Sequence, residues 1–185
     1  KEYYEFNPVE NSMYKFPVGI LNEDLALIYF LIIEAGSIAQ GTKKTYYYFS
    51  NPDSISRSRV KKKDFSVFSL YEFVSSVILD YYPDLDDAVL EFRNTIYVKL
   101  YKRIMLNQRN DYKDEQKFIK EQLKKSMART IKSKIRRVTK IRSIVGGLSD
   151  SLFIILCKVE NIMGAKSWNE RQFIKKQNMW QNHTI

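Results

Sequence analysis

The stretch 114-DEQKFIKEQLKKSMARTIKSKIRRVTKIRSIV-145 is predicted to be helical, and it has an apolar residue at every fourth position from 119 to 135. These residues are Ile119, Leu123, Met127, Ile131 and Ile135. A helix turns by about 100° per residue, so each step of four residues overshoots one full turn by about 40°. Over four steps the apolar stripe winds through about 160°, nearly to the opposite side of the helix. The sequence therefore predicts either a helix that breaks or one that wraps past two partners.

The same stretch is strongly basic, and between Ile119 and Arg142 its only acid is Glu121. Anionic lipid headgroups attract Lys and Arg by about 1 kcal/mol each near the surface, so we expect a surface that binds an anionic membrane. Nucleic acid is the less favoured partner, because no aromatic residue that could stack on a base lies between Phe118 and Phe153. A merely solvated surface remains the third alternative. The predicted anion-binding residues are Lys124, Lys125, Arg129, Lys132, Arg136 and Arg137.

Composition limits the other functions that this chain can have. Its 185 residues are 44% hydrophobic and carry a formal net charge of +10, which suits one or two small domains that bind anionic partners. One cysteine, Cys157, excludes an internal disulfide. One histidine, His183, leaves almost no material for a histidine metal site or a Ser-His-Asp triad. The chain begins at Lys1 without a signal peptide, and we expect it to be part of a longer protein.

The region 61–185 is predicted to be helical throughout. Apolar spacing predicts a helix after Asp64 that ends at Pro83, and another that extends from Leu85 to about Asn107. The helix of the opening stretch is expected to stop at Gly146-Gly147. Two further helices are predicted over Asp150–Met163 and from Ser167 to about Trp180, the former with an apolar face that suits either the core or a membrane interface.

The region 1–60 mixes helix and strand signals. A helix over Leu25–Ile33, apolar on every side and ended by Gly36, is typical of an element that is buried all round. Two short strands are expected to follow, Ser37–Gln40 and the tyrosine-rich Thr45–Phe49. The fold class predicted for the chain is therefore α+β, predominantly α-helical.

The acids Glu23 and Asp24 come at the head of the predicted N-terminal helix. Acids in the first turn of a helix complement its dipole, so a capping role accounts for both residues. An ionised carboxylate that is held beside a cleft can also accept a proton from a hydroxyl nucleophile. The residue types alone leave both roles open.

The residues around the acid pair resemble the latter part of the catalytic domain of family 2 glycosyltransferases. The shared elements are Phe16-Pro17-Val18-Gly19, Glu23-Asp24, Ala35-Gly36, Tyr46-Tyr47-Tyr48 and Ser54-Ile55-Ser56, in the same order and at closely matching spacing. The resemblance covers about the first third of the chain. Residues up to about Ile104 are similar, more weakly, to the helical tail of bacterial members that act on surface polysaccharides.

This resemblance implies a division into two parts. Residues 1–60 would be the C-terminal part of the nucleotide-sugar transferase (GT-A-like) catalytic domain, with its small β piece, and 61–185 a helical C-terminal domain. In an inverting transfer, Asp24 would be the general base and Glu23 would orient the acceptor. Tyr48, Ser54, Ser56 and Arg57 would contact donor or acceptor. Many relatives have Arg or His directly after the tyrosine strand, where this chain has Phe49 and Ser50, so Arg57 or Arg59 would supply that charge.

The resemblance also implies partners outside this chain. A nucleotide-sugar donor would bind the N-terminal half that precedes residue 1, where an Asp-x-Asp motif would hold Mg²⁺ or Mn²⁺. The acceptor would be a glycan or a lipid-linked sugar, and a second copy of the chain is a further candidate partner. We expect this chain alone to bind no metal and to be inactive, and the enzyme to be cytoplasmic, at the inner face of the membrane. The alternative from another class is a basic helical module that binds nucleic acid or a membrane without catalysis.

Overall fold

The computed structural model describes residues 23–35, 37–43 and 59–163 of the chain, and every regular element in these ranges is helical. Short 3-10 turns, Lys62–Phe65 and Pro83–Leu85, lead into the second and third helices. The helices are α1 (Glu23–Glu34), α2 (Ser66–Tyr81), α3 (Asp86–Asn107), α4 (Lys113–Lys125), α5 (Met127–Lys132), α6 (Arg137–Leu148) and α7, whose described part is 150–163. The helices predicted before and after Pro83 and over 150–163 are confirmed.

The predicted α+β class is wrong for the part of the chain that the structure describes. Residues 37–43 form no strand, and Ile38 is 67% exposed. A strand needs a partner for its backbone groups, and within the described ranges no neighbouring segment is extended beside Ser37–Gln40. The GT-A-like β piece is therefore not found there, and Thr45–Phe49 and Ser167–Trp180 lie outside the described residues. The division at residue 60 stays a prediction.

The stretch over 114–145 is broken twice, which confirms the first of the two alternatives. The first break is at Ser126, whose hydroxyl donates to the carbonyl oxygens of Gln122 (3.0 Å) and Leu123 (3.2 Å). The second is the extended segment 133–136, between α5 and α6. Ile119 and Leu123 are buried before the first break, whereas Ile131 is more than half exposed after it. The chain thus bends twice, where one straight helix could not have packed the winding apolar stripe against a single neighbour.

Helix α3 is the centre of the core. It contacts α2, α4 and α6, and its buried side chains therefore do not follow a single stripe. Tyr97 packs edge-on against Phe68 of α2, with ring centroids 5.0 Å apart, and Tyr101 stacks on Phe153 of α7 at 4.9 Å. Cys157 of α7 is buried in the same cluster, as a small apolar side chain would be.

Polar contacts fix the entry of the chain into this core. The side chain of Gln108, at the end of α3, accepts a 2.6 Å hydrogen bond from the backbone N–H of Val60 and donates one of 3.2 Å to its carbonyl oxygen. Asp64, predicted as an N-cap, lies instead in the 3-10 turn that precedes α2. Its buried carboxylate lies 3.2 Å from the guanidinium of Arg103. The segment before α2 is thus held to the end of α3.

No helix in the described ranges combines the length and the apolar character that crossing a bilayer requires. Helix α1 also differs from expectation. Its residues Ile28, Leu31 and Ile32 are each nearly half exposed, because Tyr29 is the residue that packs against the cluster between α2 and α3. The prediction that this helix is buried on every side is wrong for these residues.

Gly146 and Gly147 were predicted to end the helix of the opening stretch, but they lie inside α6, which ends at Leu148. They allow α6 to approach α4 closely. A methyl group added at Gly147 would lie 3.2 Å from the backbone nitrogen of Lys124, an atom that cannot move without moving α4. A methyl group added at Gly146 would meet buried side chains instead, Cδ1 of Leu123 at 3.2 Å and Cδ2 of Phe153 at 3.3 Å.

We expect Gly147→Ala to lower the free energy of unfolding by about 1–3 kcal/mol, because it overpacks a helix–helix contact. Gly146→Ala is the matched control. It should cost less than Gly147→Ala, because it crowds the side chains of Leu123 and Phe153, which shift more readily than the α4 backbone, and helix propensity gains about 1 kcal/mol in both variants. Urea unfolding followed by circular dichroism measures both, and a Gly147→Ala variant as stable as the parent would contradict the close packing of α6 on α4.

Buried tyrosines predict a loss of stability at alkaline pH. Burial raises the pKa of Tyr71 from 10 to about 12, and burial also raises the pKa of Tyr97 and of Tyr101. A raised pKa contributes stability that is complete below pH 10 and is lost as the pH rises through the folded-state value. For Tyr71 the loss is up to about 1.4 kcal/mol per pH unit between these limits.

Urea unfolding at pH 8, 10 and 11 tests this expectation. Tyr71→Phe should be less stable than the parent at pH 8, because it loses the 2.7 Å hydrogen bond from the phenol to the carbonyl oxygen of Val89. It should also lose less stability between pH 10 and 11. Parallel pH profiles for the two proteins would show that Tyr71 ionises equally well in both states.

Candidate functional site

The structure places the acid pair where the sequence predicted it. Glu23 is the first residue of α1 and Asp24 the second, and the Asp24 side chain is exposed. Helix α1 is attached to the core through Tyr29, whose ring meets the ring of Phe92 on α3 edge-on at 6.1 Å. Burial raises the pKa of the Tyr29 phenol. The acid pair therefore lies in the first turn of a helix that an aromatic contact anchors to the core.

The other residues predicted to contact donor or acceptor lie outside the described residues. These are Tyr48, Ser54, Ser56 and Arg57. Arg59, the second candidate for the missing positive charge, is described, and its guanidinium lies 3.8 Å from the carboxylate of Asp111. Arg59 is thus paired with an acid that follows α3.

The six predicted anion-binding residues are all exposed, but the two breaks divide them among separate elements. Lys124 and Lys125 end α4, and Arg129 and Lys132 lie on α5. Arg136 belongs to the extended segment and Arg137 is the first residue of α6. The sequence predicted that this basic helix either breaks or wraps past two partners, and the structure divides its cations among three short segments.

Two of these cations are paired with acids at the start of α3. Arg129 pairs with Asp86, and Arg136 pairs with Glu91, which also accepts a hydrogen bond from the Arg136 backbone N–H at 3.3 Å. Partial burial alone would raise the pKa of Glu91, but the hydrogen bonds and charge of Arg136 lower it. No ion pair between described residues involves Lys124, Lys125, Lys132 or Arg137.

A cavity of about 550 Å³ lies between α3 and the first turn of α6. Of the residues that line it, only Arg136 and Arg137 were predicted from the sequence to be functional. Thr95 and Lys99 are four residues apart, and Thr139 and Arg142 are three apart, so each pair lies on one face of a helix. This spacing was the signal for the cavity that the sequence offered. The start of a new helix at residue 137 was not predicted, so these faces could not be brought together. The lining residues are Thr95, Val98, Lys99, Arg136, Arg137, Val138, Thr139 and Arg142.

Further charged contacts hold α7 in place. Asp150 accepts hydrogen bonds from the Tyr101 hydroxyl (2.8 Å) and from Lys120 (2.7 Å). Glu160 accepts one from Arg142 at 2.6 Å. Each acid meets a cation from another helix, so both serve the packing of α7. Within the described ranges, no three His, Cys, Asp or Glu side chains come together in a way that could hold a metal ion.

Comparison of the chain with models of known protein families, with curated proteins and with solved structures finds no match.

Proposed function

We propose that this chain is the C-terminal part of an inverting glycosyltransferase, with Asp24 as the general base. The observation that carries the proposal is the series of motifs from Phe16-Pro17-Val18-Gly19 to Ser54-Ile55-Ser56, in which Glu23-Asp24 is the second motif. The start of α1 at this pair supports it, because the motif requires the acids to head a helix.

The chemistry asks one step of Asp24. Its carboxylate accepts the proton of an acceptor hydroxyl as that oxygen attacks the anomeric carbon of the donor. The bond from this carbon to the nucleoside diphosphate breaks on the opposite face, so the configuration inverts. We propose that the donor, with its Mg²⁺ or Mn²⁺, binds the N-terminal half of the enzyme. Within the described ranges no group of side chains fits this metal, so the described residues have no role in metal binding in the proposed mechanism.

The setting of Asp24 suits a base that must meet a substrate. The side chain is exposed, so an acceptor can reach it. The first turn of a helix favours negative charge, because its free N–H groups carry partial positive charge. The edge-on contact of Tyr29 with Phe92 ties the helix to the core, which limits how far the base can move.

Asp24→Asn in the full-length enzyme separates the base from the cap. An amide oxygen still accepts a backbone hydrogen bond, so the variant should fold with a melting temperature close to that of the parent. An amide does not take a hydroxyl proton, so sugar transfer should fall by about two orders of magnitude or more. Transfer is measured with a panel of nucleotide sugars, which also identifies the donor.

Two control variants accompany this test. Glu23→Gln should reduce transfer less than Asp24→Asn, because Glu23 is assigned a positioning role. Asp84→Asn neutralises another exposed acid at a helix start, in the 3-10 turn before α3, and should leave transfer unchanged. Transfer by Asp24→Asn at nearly the parental rate would reduce the acid pair to a cap and remove the proposed mechanism.

A second function, binding to an anionic membrane surface, is favoured by a different observation. Lys124, Lys125 and Lys132 are exposed and take part in no ion pair with a described residue. Exposed apolar side chains follow on α6 and α7, among them Leu148 and Ile155. Cations beside exposed apolar residues suit an interface of anionic headgroups and acyl chains. We therefore place the enzyme at the inner face of the membrane, with nucleic acid as the less favoured partner.

Flotation with liposomes that contain or lack acidic lipid tests this second function. The triple variant Lys124→Gln/Lys125→Gln/Lys132→Gln should float less with acidic liposomes than the parent. A control triple variant of exposed lysines elsewhere, Lys62→Gln/Lys63→Gln/Lys117→Gln, has the same net charge and should float like the parent. Binding to duplex or single-stranded nucleic acid that is tighter than binding to acidic liposomes, at two salt concentrations, would reverse the ranking.

A further inference from the structure

We propose that the cavity between α3 and α6 binds a phosphate-bearing ligand, of which a diphosphate ester is the chemical class that fits best. Four of its eight lining residues are cationic, and none is acidic. A solvated surface with both signs of charge would not show this bias. The cavity of about 550 Å³ lies within the range of small-molecule sites, and it exceeds the needs of a single phosphate group.

The cations that line the cavity differ in how far they are engaged. Arg136 is paired with Glu91, and Arg142 donates its Nε–H to Glu160 at 2.6 Å. Lys99 and Arg137 are exposed and form no ion pair with any described residue. Two positive charges are therefore available to a ligand. Two free cations match a group that carries more than one negative charge, as a diphosphate does and a single carboxylate does not.

Backbone groups add to this positive field. Helix α6 begins at Arg137. The backbone hydrogen bond to the residue before it, Arg136, is donated by the Lys140 N–H to the Arg136 carbonyl oxygen at 3.0 Å. The N–H groups before Lys140 therefore lack the usual acceptor four residues back. No acid lies in this turn, and its N-cap residue makes no capping bond with its side chain. The helix end thus favours negative charge, and the Glu91 carboxylate, which accepts a hydrogen bond from the Arg136 backbone N–H, supplies part of it.

Two threonines, Thr95 and Thr139, lie among the lining residues. The Oγ1 atom of Thr95 is closed to solvent and has no hydrogen-bond partner among the described residues. Because solvent does not reach this atom, it lies beneath the surface that a ligand would touch, and Thr95 shapes the wall of the cavity. Thr139, which is also buried, has only a long 3.4 Å contact with Glu91. Val98 and Val138 leave apolar surface for the organic part of an ester.

Two acids of α3 lie close to this end of α6: Asp87 accepts a hydrogen bond from the Lys134 backbone N–H at 2.8 Å, and Glu91 binds Arg136. The Glu91 carboxylate is bound to the side chain and backbone of Arg136. It therefore already neutralises Arg136, and a ligand relies on Lys99 and Arg137 instead. The inference stands apart from the proposed base at Asp24, since no residue is shared between the two.

Isothermal titration of the chain with inorganic pyrophosphate tests the pocket. We expect saturable binding of one equivalent, with Kd raised about tenfold by Lys99→Gln and about tenfold by Arg137→Gln. Both residues are exposed, so the variants should keep the parental melting temperature. The double variant Lys62→Gln/Lys63→Gln removes two exposed charges that are not part of the cavity lining and should leave Kd unchanged.

Two results would overturn the proposal. One is the absence of saturable pyrophosphate binding. The other is an equal loss in Lys62→Gln/Lys63→Gln and in Lys99→Gln/Arg137→Gln, which would reduce the effect to the general attraction of a basic protein. Asp24 is distant in sequence and is unchanged in every variant. Neither result therefore bears on the glycosyltransferase proposal, which the Asp24→Asn assay tests separately.

Vesicles that carry phosphatidic acid identify the source of the phosphate. Vesicle binding that pyrophosphate displaces, and that Lys99→Gln/Arg137→Gln abolishes, supports the pocket and assigns it to a lipid headgroup. Pyrophosphate binding with vesicle binding unaffected by the same variants supports the pocket and assigns it to a soluble diphosphate ester. In both cases the site is a phosphate pocket, and the two arms differ only in what the phosphate is attached to.

Discussion

The winding of apolar residues through 114–145 is the constraint on which the rest of the structure depends. A straight helix would leave half of them in water, and burial of each large apolar side chain is worth about 1.5–3 kcal/mol. The chain bends at Ser126 and again over 133–136, and α6 then returns along α4. Gly147 makes this return close enough for backbone to meet backbone. The position of α7, which packs on α3 through Phe153, follows from that approach.

The same bends decide what the positive charge can do. Along a single helix, cations that lie three or four residues apart would be neighbours and would repel one another. In the folded chain Arg129 and Arg136 instead meet acids at the start of α3, which removes them from any external partner. These pairs are largely exposed, so each contributes at most about 1 kcal/mol, and their effect is on geometry more than on stability. The Arg129–Asp86 pair holds α5 to the start of α3, and the Arg136–Glu91 pair holds the start of α6 against α3, where the cavity opens beside Lys99.

Sequence reasoning succeeded where one local signal was enough. Pro83 and the apolar spacing on either side of it predicted α2 and α3, and the acid pair was correctly placed at the head of α1. It failed where the outcome depended on a partner. Ser37–Gln40 has strand-like residues, but strand formation requires a neighbour that the pattern cannot reveal. The cavity combines residues of α3 with the start of α6, and that start became visible only when the bend at 133–136 was known.

The burial of Cys157 has a practical consequence for work on this protein. It is the only cysteine in the chain, its side chain is 1% exposed, and burial raises the pKa of its thiol. Thiol reagents react with the thiolate, so the native sulfhydryl is doubly protected from them in the folded state. A cysteine introduced at an exposed position such as Lys99 would therefore be the single reactive thiol. A fluorophore or spin label could be attached there without first altering the native protein.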